Sequence, residues 1–194
     1  IILLEKSPKI AVYSPEDKQP WDDAVTLALS YAEVKYDVIF DNEVLDGKLT
    51  KYDWLHLHHE DFTGQYGKFY KSFRNASWYK KQESDFNQIA SSRGFNSVHE
   101  LKKNIAAIIK DYILNGGFIF AMCSATDSFD IALAALNVDI ATSVFDGSPI
   151  DPNYKSKLNY NNSLAFENYD LYTDPYTYEY STIDYPPSHQ PHMD

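Results

Sequence analysis

Short apolar runs and amphipathic stretches alternate along the first two thirds of the chain. Lys9 to Ser14, KIAVYS, is a β-rich apolar run closed by Pro15, which predicts a buried first strand. After the turn PEDKQP, Trp21 to Val34 (WDDAVTLALSYAEV) gathers Val25, Leu27, Ala28, Leu29, Tyr31 and Ala32 in one helical stretch. Asp22 and Asp23 stand in its first turn, where the helix dipole favours negative charge. YDVIF from Tyr36 and YDWLHLH from Tyr52 read as a second and a third strand. The region 64–96 is polar, aromatic and irregular, and reads as an insertion. Ser97 with Glu100 three positions later has the form of a capping box, opening the helix VHELKKNIAAIIKDYIL, and Gly116 is placed to end it. FIFAMC is a fourth strand, and TDSFDIALAAL a last helix with Thr126 and Asp127 as N-cap candidates. Asp127 and Asp130 read as cap and helix-surface charge. The order predicts an α/β fold, most simply a parallel sheet with helices on both faces.

Beyond Val144 the periodicity weakens, and residues 146–194 form a Tyr- and Pro-rich C-terminal segment. LAFENYDLY and YTYEYSTI alternate with period two and read as edge strands punctuated by proline. No internal repeat is visible. A length of 194 residues, 44% of them hydrophobic, suits a single domain with one sizeable core. Starting on Ile without Met and ending on PPSHQPHMD, the chain reads as a piece of something longer.

Composition narrows the function classes. A formal net charge of -11 repels phosphate backbones and anionic headgroups, so no nucleic-acid partner is expected. The nearest basic cluster is Lys68, Lys71, Arg74, Lys80 and Lys81, interleaved with aromatic residues, and it reads as an amphipathic face. No apolar stretch approaches the ~20 residues of a membrane span, and IILLEK lacks a charged n-region and cleavage signature. One cysteine makes no internal disulfide and leaves the compartment open.

That cysteine lies in GGFIFAMCSATDSFDIALAAL, on a predicted strand-to-helix turn. A nucleophile elbow needs small residues two before and two after the reactive one, and Ala121 and Ala125 meet that demand around Cys123. The helix start would aim free N–H groups at the turn, favouring a thiolate and stabilising an oxyanion. The same pentapeptide, AMCSA, also fits plain core packing, because free cysteine is among the most buried residue types.

Lys9 to Phe40, the stretch YDWLHLHHEDFTGQYGKF from Tyr52 to Phe69, and GGFIFAMCSATDSFDIALA resemble a group of bacterial proteins often labelled asparagine synthetase B. The resemblance implies the flavodoxin-like, class I glutamine amidotransferase-like fold shared with ThuA-like proteins, longer chains on both sides, and export. Asparagine synthetase B itself uses an N-terminal cysteine and an SGG-x-DS loop, and this chain has neither. Class I amidotransferases set their cysteine in G-x-C-x-G and supply a later His-Pro-Glu segment. Here Cys123 matches by position while Ala121 and Ala125 replace both glycines, and no His-Pro-Glu occurs.

His56, His58, His59, Glu60 and Asp61 are the other chemical concentration, at the end of the third strand as Cys123 is at the end of the fourth. In parallel sheets ligand sites lie outside the carboxyl ends of the strands. His58 or His59 could take the thiol proton and Glu60 orient the imidazole. Glu16, after the first strand, is a further acid at that edge, and Asp61, Ser124 and Thr126 are candidate ligand contacts. Two imidazoles with Asp61 and the thiolate would equally suit a zinc site, and His56 with His58 could be structural on one strand face. The leading expectation is a thiol-dependent hydrolase or amidotransferase-like site for a small polar substrate, with no cofactor. A non-catalytic carbohydrate- or protein-binding domain, or one that contacts flanking regions of its parent chain, is the other, carried by Phe69, Tyr70, Phe73, Trp78, Tyr79 and the Tyr-rich segment.

Overall fold

A computed structural model of the chain describes residues 7–15 and 24–184. Four short strands, β1 (Ile10–Tyr13), β2 (Tyr36–Ile39), β3 (Trp54–Leu57) and β4 (Phe118–Ala121), form one sheet in the order β2-β1-β3-β4. Every pair is parallel, with Ile10 opposite Tyr36 and Trp54, and Trp54 opposite Phe118. The strand order reverses direction between β1 and β3, an α/β arrangement consistent with a flavodoxin-like fold.

The helices are α1 (Ala24–Tyr31), α2 (Asp41–Leu45), α3 (Tyr70–Phe73), α4 (Ser77–Ser92), α5 (Val98–Leu114), α6 (Ser124–Ala134), α7 (Ser143–Asp146) and α8 (Tyr154–Lys157). Ala11, Tyr13, Leu55 and Leu57 turn one face of the sheet toward the main core, which Val44 of α2, Tyr79 of α4, Leu101, Ile105 and Ile109 of α5 and Phe129 and Leu133 of α6 complete. Burial of such side chains contributes about 1.5–3 kcal/mol each. On the opposite face Ile10, Val12 and His56 are buried, while Phe118 and Phe120 on edge strand β4 stay exposed. A second cluster joins Ile131, Ala134 and Val138 to Tyr169 and Tyr180, and so fastens the C-terminal segment to the back of α6.

Several sequence expectations change. The region 64–96 is not irregular, since α3 and the 16-residue α4 fill much of it. Only Tyr79 and Ala90 of α4 are buried, with Phe86 and Ile89 packed beside them, a stripe too sparse to stand out. The first-turn acids Asp22 and Asp23 lie outside the described residues, and α1 leaves Leu27 and Tyr31 exposed. Half of the capping box forms: Ser97 Oγ accepts the Glu100 N–H at 3.1 Å, but the Glu100 carboxylate takes the Asn96 N–H at 2.8 Å instead of reaching Ser97. Gly116, at φ +96°, follows the end of α5. LAFENYDLY and YTYEYSTI do not form strands; a single antiparallel bridge between Leu171 and Ser181 joins them, flanked by Tyr172 N–H to Tyr180 O at 2.9 Å. Thr126 and Asp127 fall inside α6, whose N-cap is Cys123. Asp130 is no surface charge: it is buried and accepts the N–H groups of Leu164, Ala165 and Phe166 at 2.7–2.8 Å, which holds the chain beyond the last 3₁₀ turn onto α6.

Candidate active site at the Cys123 turn

The turn between β4 and α6 carries the strongest local signal. Cys123 sits at φ 50° and ψ -138°, a conformation that costs a non-glycine residue about 1–3 kcal/mol, and its side chain is exposed. Met122 N–H holds Leu57 O at 3.0 Å and Ala125 N–H holds His58 O at 3.2 Å, so the turn is tied to the chain leaving β3. Ser124 Oγ donates to His59 O at 2.9 Å, and Ser128 Oγ donates to Glu60 O at 3.2 Å. The segment 58–60 thus runs along the first turns of α6, which fixes His58 and His59 beside the elbow through the backbone. Ala125 is fully buried at that contact.

The histidines divide by depth. His56 is buried and stacks on Phe120 with centroids 5.8 Å apart. His58 is half-buried, His59 is exposed, and their rings lie 3.5 Å apart. Glu60 is buried and its carboxylate accepts the His58 backbone N–H at 3.0 Å. Asp61 organises its own loop: Oδ1 accepts Thr63 N–H and Oγ–H at 2.7 and 2.6 Å, and Oδ2 accepts Gln65 and Gly67 N–H at 2.7 and 3.0 Å. That anchor holds Tyr66, Gly67 and Lys68, all at positive φ, in one left-handed turn. Ser124 is half-buried and Thr126 exposed at the start of α6, and Glu16 lies outside the described residues. Among the described residues no group of three or more His, Cys, Asp or Glu is arranged to hold a metal ion.

Two charged groupings escaped the sequence reading. At the carboxyl ends of β1 and β2, Lys102 Nζ of α5 donates to Asp41 Oδ1 at 2.9 Å and to Tyr13 Oη at 3.0 Å, and Tyr13 also donates to Asp41. Lys102 stands 4.2 Å from the Phe40 ring centroid and 4.9 Å from that of Phe86, completing a cation–π cage. Burial, and then the Asp41 charge, raise the Tyr13 phenol well above its usual value. A cavity of about 30 Å³, the size of one water, lies between this group and His59, Glu60 and Pro15. Lys102 was legible: it falls on the buried stripe of Val98, Leu101, Ile105 and Ile109, where a lysine has to find a partner.

The second grouping lies under Cys123. Asp127, one turn into α6, is fully buried and neither of its carboxylate oxygens has a hydrogen-bond partner; burial first, and then the charge of Asp184, push its carboxyl up to about 8. Lys68, also buried, donates Nζ–H to the carbonyls of Tyr172 and Glu179, the latter at 3.0 Å. Burial lowers its ammonium to about 8, against the opposing charges of Asp61 and Asp174. Tyr180 is buried with its hydroxyl lacking a hydrogen-bond partner, and burial raises its phenol well above the usual value; Tyr178 is raised first by burial.

Among the described residues no helix is long and apolar enough to cross a membrane. No protein-family model, curated protein or solved structure matches the chain.

Proposed function

We propose that Cys123 is the nucleophile of a thiol-dependent hydrolase or amidotransferase-like site acting on a small polar substrate, on a class I glutamine amidotransferase-like fold. The observation that carries this reading is the strained φ 50°, ψ -138° backbone at an exposed cysteine between a strand and the start of an 11-residue helix. In this mechanism Sγ attacks the substrate carbonyl as His58 or His59 takes its proton. The Ser124 N–H, without an acceptor inside the helix, binds the oxyanion. Collapse breaks the C–N bond, and the imidazolium returns its proton to the departing amine. Water, deprotonated by the same imidazole, then opens the thioester and restores the thiol.

The test is alkylation. Cys123 is expected to react with iodoacetamide at neutral pH at least tenfold faster than a free thiol such as glutathione, with Cys123→Ala unlabelled. A rate at or below that of glutathione, or labelling only after unfolding, overturns the reading.

A second reading, a non-catalytic carbohydrate- or protein-binding domain, is favoured by one observation. Phe69, Phe73 and Trp78 form a mutual ring cluster with centroids 5.1–6.0 Å apart, and Tyr178 joins it at 5.7 Å from Phe69. Phe73, Trp78 and Tyr178 are each at least 41% exposed. Saturable binding of an oligosaccharide, unchanged in Cys123→Ala and lost in Trp78→Ala, would select this reading over the first.

A further inference from the structure

We propose that the cleft between α2 and α4 is a binding site for a neutral aromatic small molecule bearing an N–H or O–H group, whose hydrogen bond Gln82 Oε1 accepts. None of the described residues lining the cleft belongs to the Cys123 turn, so the proposal stands apart from the reading of Cys123 given above.

The cleft has a volume of about 640 Å³, which falls within the range of small-molecule sites. It opens at the carboxyl ends of β1 and β2, where Pro15 and Phe40 line it. Pro15, Phe40, Gln82 and Phe86 also line the water-sized cavity that reaches His59 and Glu60, so the two spaces adjoin. Pro15 follows β1 and His59 follows β3, the two strands between which the order reverses direction, and open parallel sheets hold their ligands outside such a point. One wall is α4, whose Trp78, Gln82, Phe86 and Ile89 recur every three or four residues and so share a face; the other is Phe40 with the first turn of α2. The walls are braced at two points. Phe40 packs on Phe86 with centroids 5.4 Å apart, and Arg93, at the end of α4, donates to Asn42 Oδ1 and Asp46 Oδ1, both at 2.8 Å. A ligand therefore meets a cleft that is already formed.

The polar groups of the walls select the ligand. Glu43 is taken up by Lys48 at 3.1 Å and by the Phe40 N–H at 3.2 Å, and Lys81 by Asp85 at 2.6 Å. Each charge among the described lining residues thus has its counter-charge beside it, and an ionic ligand would lose hydration without gaining a free partner. Gln82 differs. Its Oε1 is buried and accepts no hydrogen bond. A buried acceptor without a donor is costly, and a ligand N–H or O–H removes that cost on binding. The apolar lining is Phe40, Phe86 and Trp78 with Pro15 and Ile89. Aromatic walls hold a flat ring by offset or edge-on contact, so a ring with one donor satisfies both the walls and Gln82.

Indole and 1-methylindole, which differ in the ring N–H, test the site by NMR titration of the full chain. Indole is expected to saturate with a dissociation constant of about 1 mM or tighter, shifting the Gln82 side-chain amide and the Ile89 methyl signals, and to do so equally in Cys123→Ala. 1-Methylindole is expected to bind about three- to tenfold more weakly. Indole-3-acetate, which adds a carboxylate, is expected to bind no more tightly than indole. Gln82→Leu, which keeps the bulk and removes the acceptor, is expected to bind the two indoles equally, and Gln82→Met gives the same result should the leucine variant fold poorly. No saturation by indole up to about 5 mM, equal binding of the two probes by the wild type, or a difference that survives in the Gln82 variants overturns the proposal. Shifts confined to the Phe69, Phe73 and Tyr178 cluster overturn it as well.

Discussion

Replacing Lys102 by Met removes the cation from a carboxylate that is 0% exposed, with the ammonium itself 2% exposed. At 2.9 Å the attraction is gross and large, about 6 kcal/mol for an effective dielectric of 20, but desolvating both groups offsets most of it. The loss in the variant is set by what remains: a buried Asp41 whose other described donor is the Tyr13 hydroxyl. Breaking such a pair costs about 3–5 kcal/mol. Urea denaturation should therefore show Lys102→Met less stable by about 3–5 kcal/mol at pH 7, with an unchanged slope. The double variant Lys102→Met, Asp41→Asn should recover at least half of the loss at pH 7, because no buried charge is left. A single-variant loss under about 1 kcal/mol, or a double variant as unstable as the sum of the two singles, would refute the placement of this pair in the core.

Two further predictions concern the loop that carries the histidines. Asp61→Ala removes one acceptor from four donors and leaves the N–H groups of Thr63, Gln65 and Gly67 without their carboxylate, for an expected loss of about 3 kcal/mol by urea denaturation; a loss under 1 kcal/mol would show that the loop holds its shape without it. Gly64→Ala sets a Cβ 2.5 Å from His99 Cα and forces alanine to φ +74°, so a drop of 2 kcal/mol or more is expected in the same assay, and a neutral effect would contradict the close approach of this loop to α5.

The four strands and the helices flanking them were legible because hydrophobic period and punctuation agree there: KIAVYS stops at Pro15, and Gly116 follows α5. The fold class follows from that order. Helix α4 was hidden because its buried residues, Tyr79 and Ala90, are far apart along a polar stretch that also carries Trp78, Lys80 and Lys81. The Tyr-rich segment misled in the opposite direction. Its alternation of tyrosine with polar residues imitates a strand, but the tyrosines pack on α6 and Phe69 instead of on a neighbouring strand. At the candidate site the sequence placed Cys123 and the His58–His59 pair on adjoining strand ends, and their backbones are joined there. Asp61 was assigned to a ligand and is spent on its own loop. Asp127 was read as a cap because Ser, Thr and Asp near a helix start usually are, whereas here the helix begins earlier, at Ser124, and carries Asp127 inward.

Ala121 and Ala125, two residues before and two after Cys123, bear on what the turn can do. Glycine two residues after the cysteine would permit close approach of the chain leaving β3, and Ala125 manages the same approach while fully buried, its N–H on His58 O at 3.2 Å. Ala121 ends β4 opposite Leu57 and packs against the main core with only a methyl group. Neither methyl relaxes the turn, since the positive φ falls on Cys123 itself, the one position where a glycine would relieve it and a side chain is present instead. Cys123→Gly should therefore raise stability by about 1 kcal/mol or more, whereas Cys123→Ala, which keeps a Cβ at φ 50°, should leave it within about 0.5 kcal/mol. Strain that vanishes with the side chain, and not with the sulfur, is what a turn shaped to present a side chain predicts. If glycine and alanine are equally stable by urea denaturation, the backbone at Cys123 is unstrained and the elbow reading loses its main support.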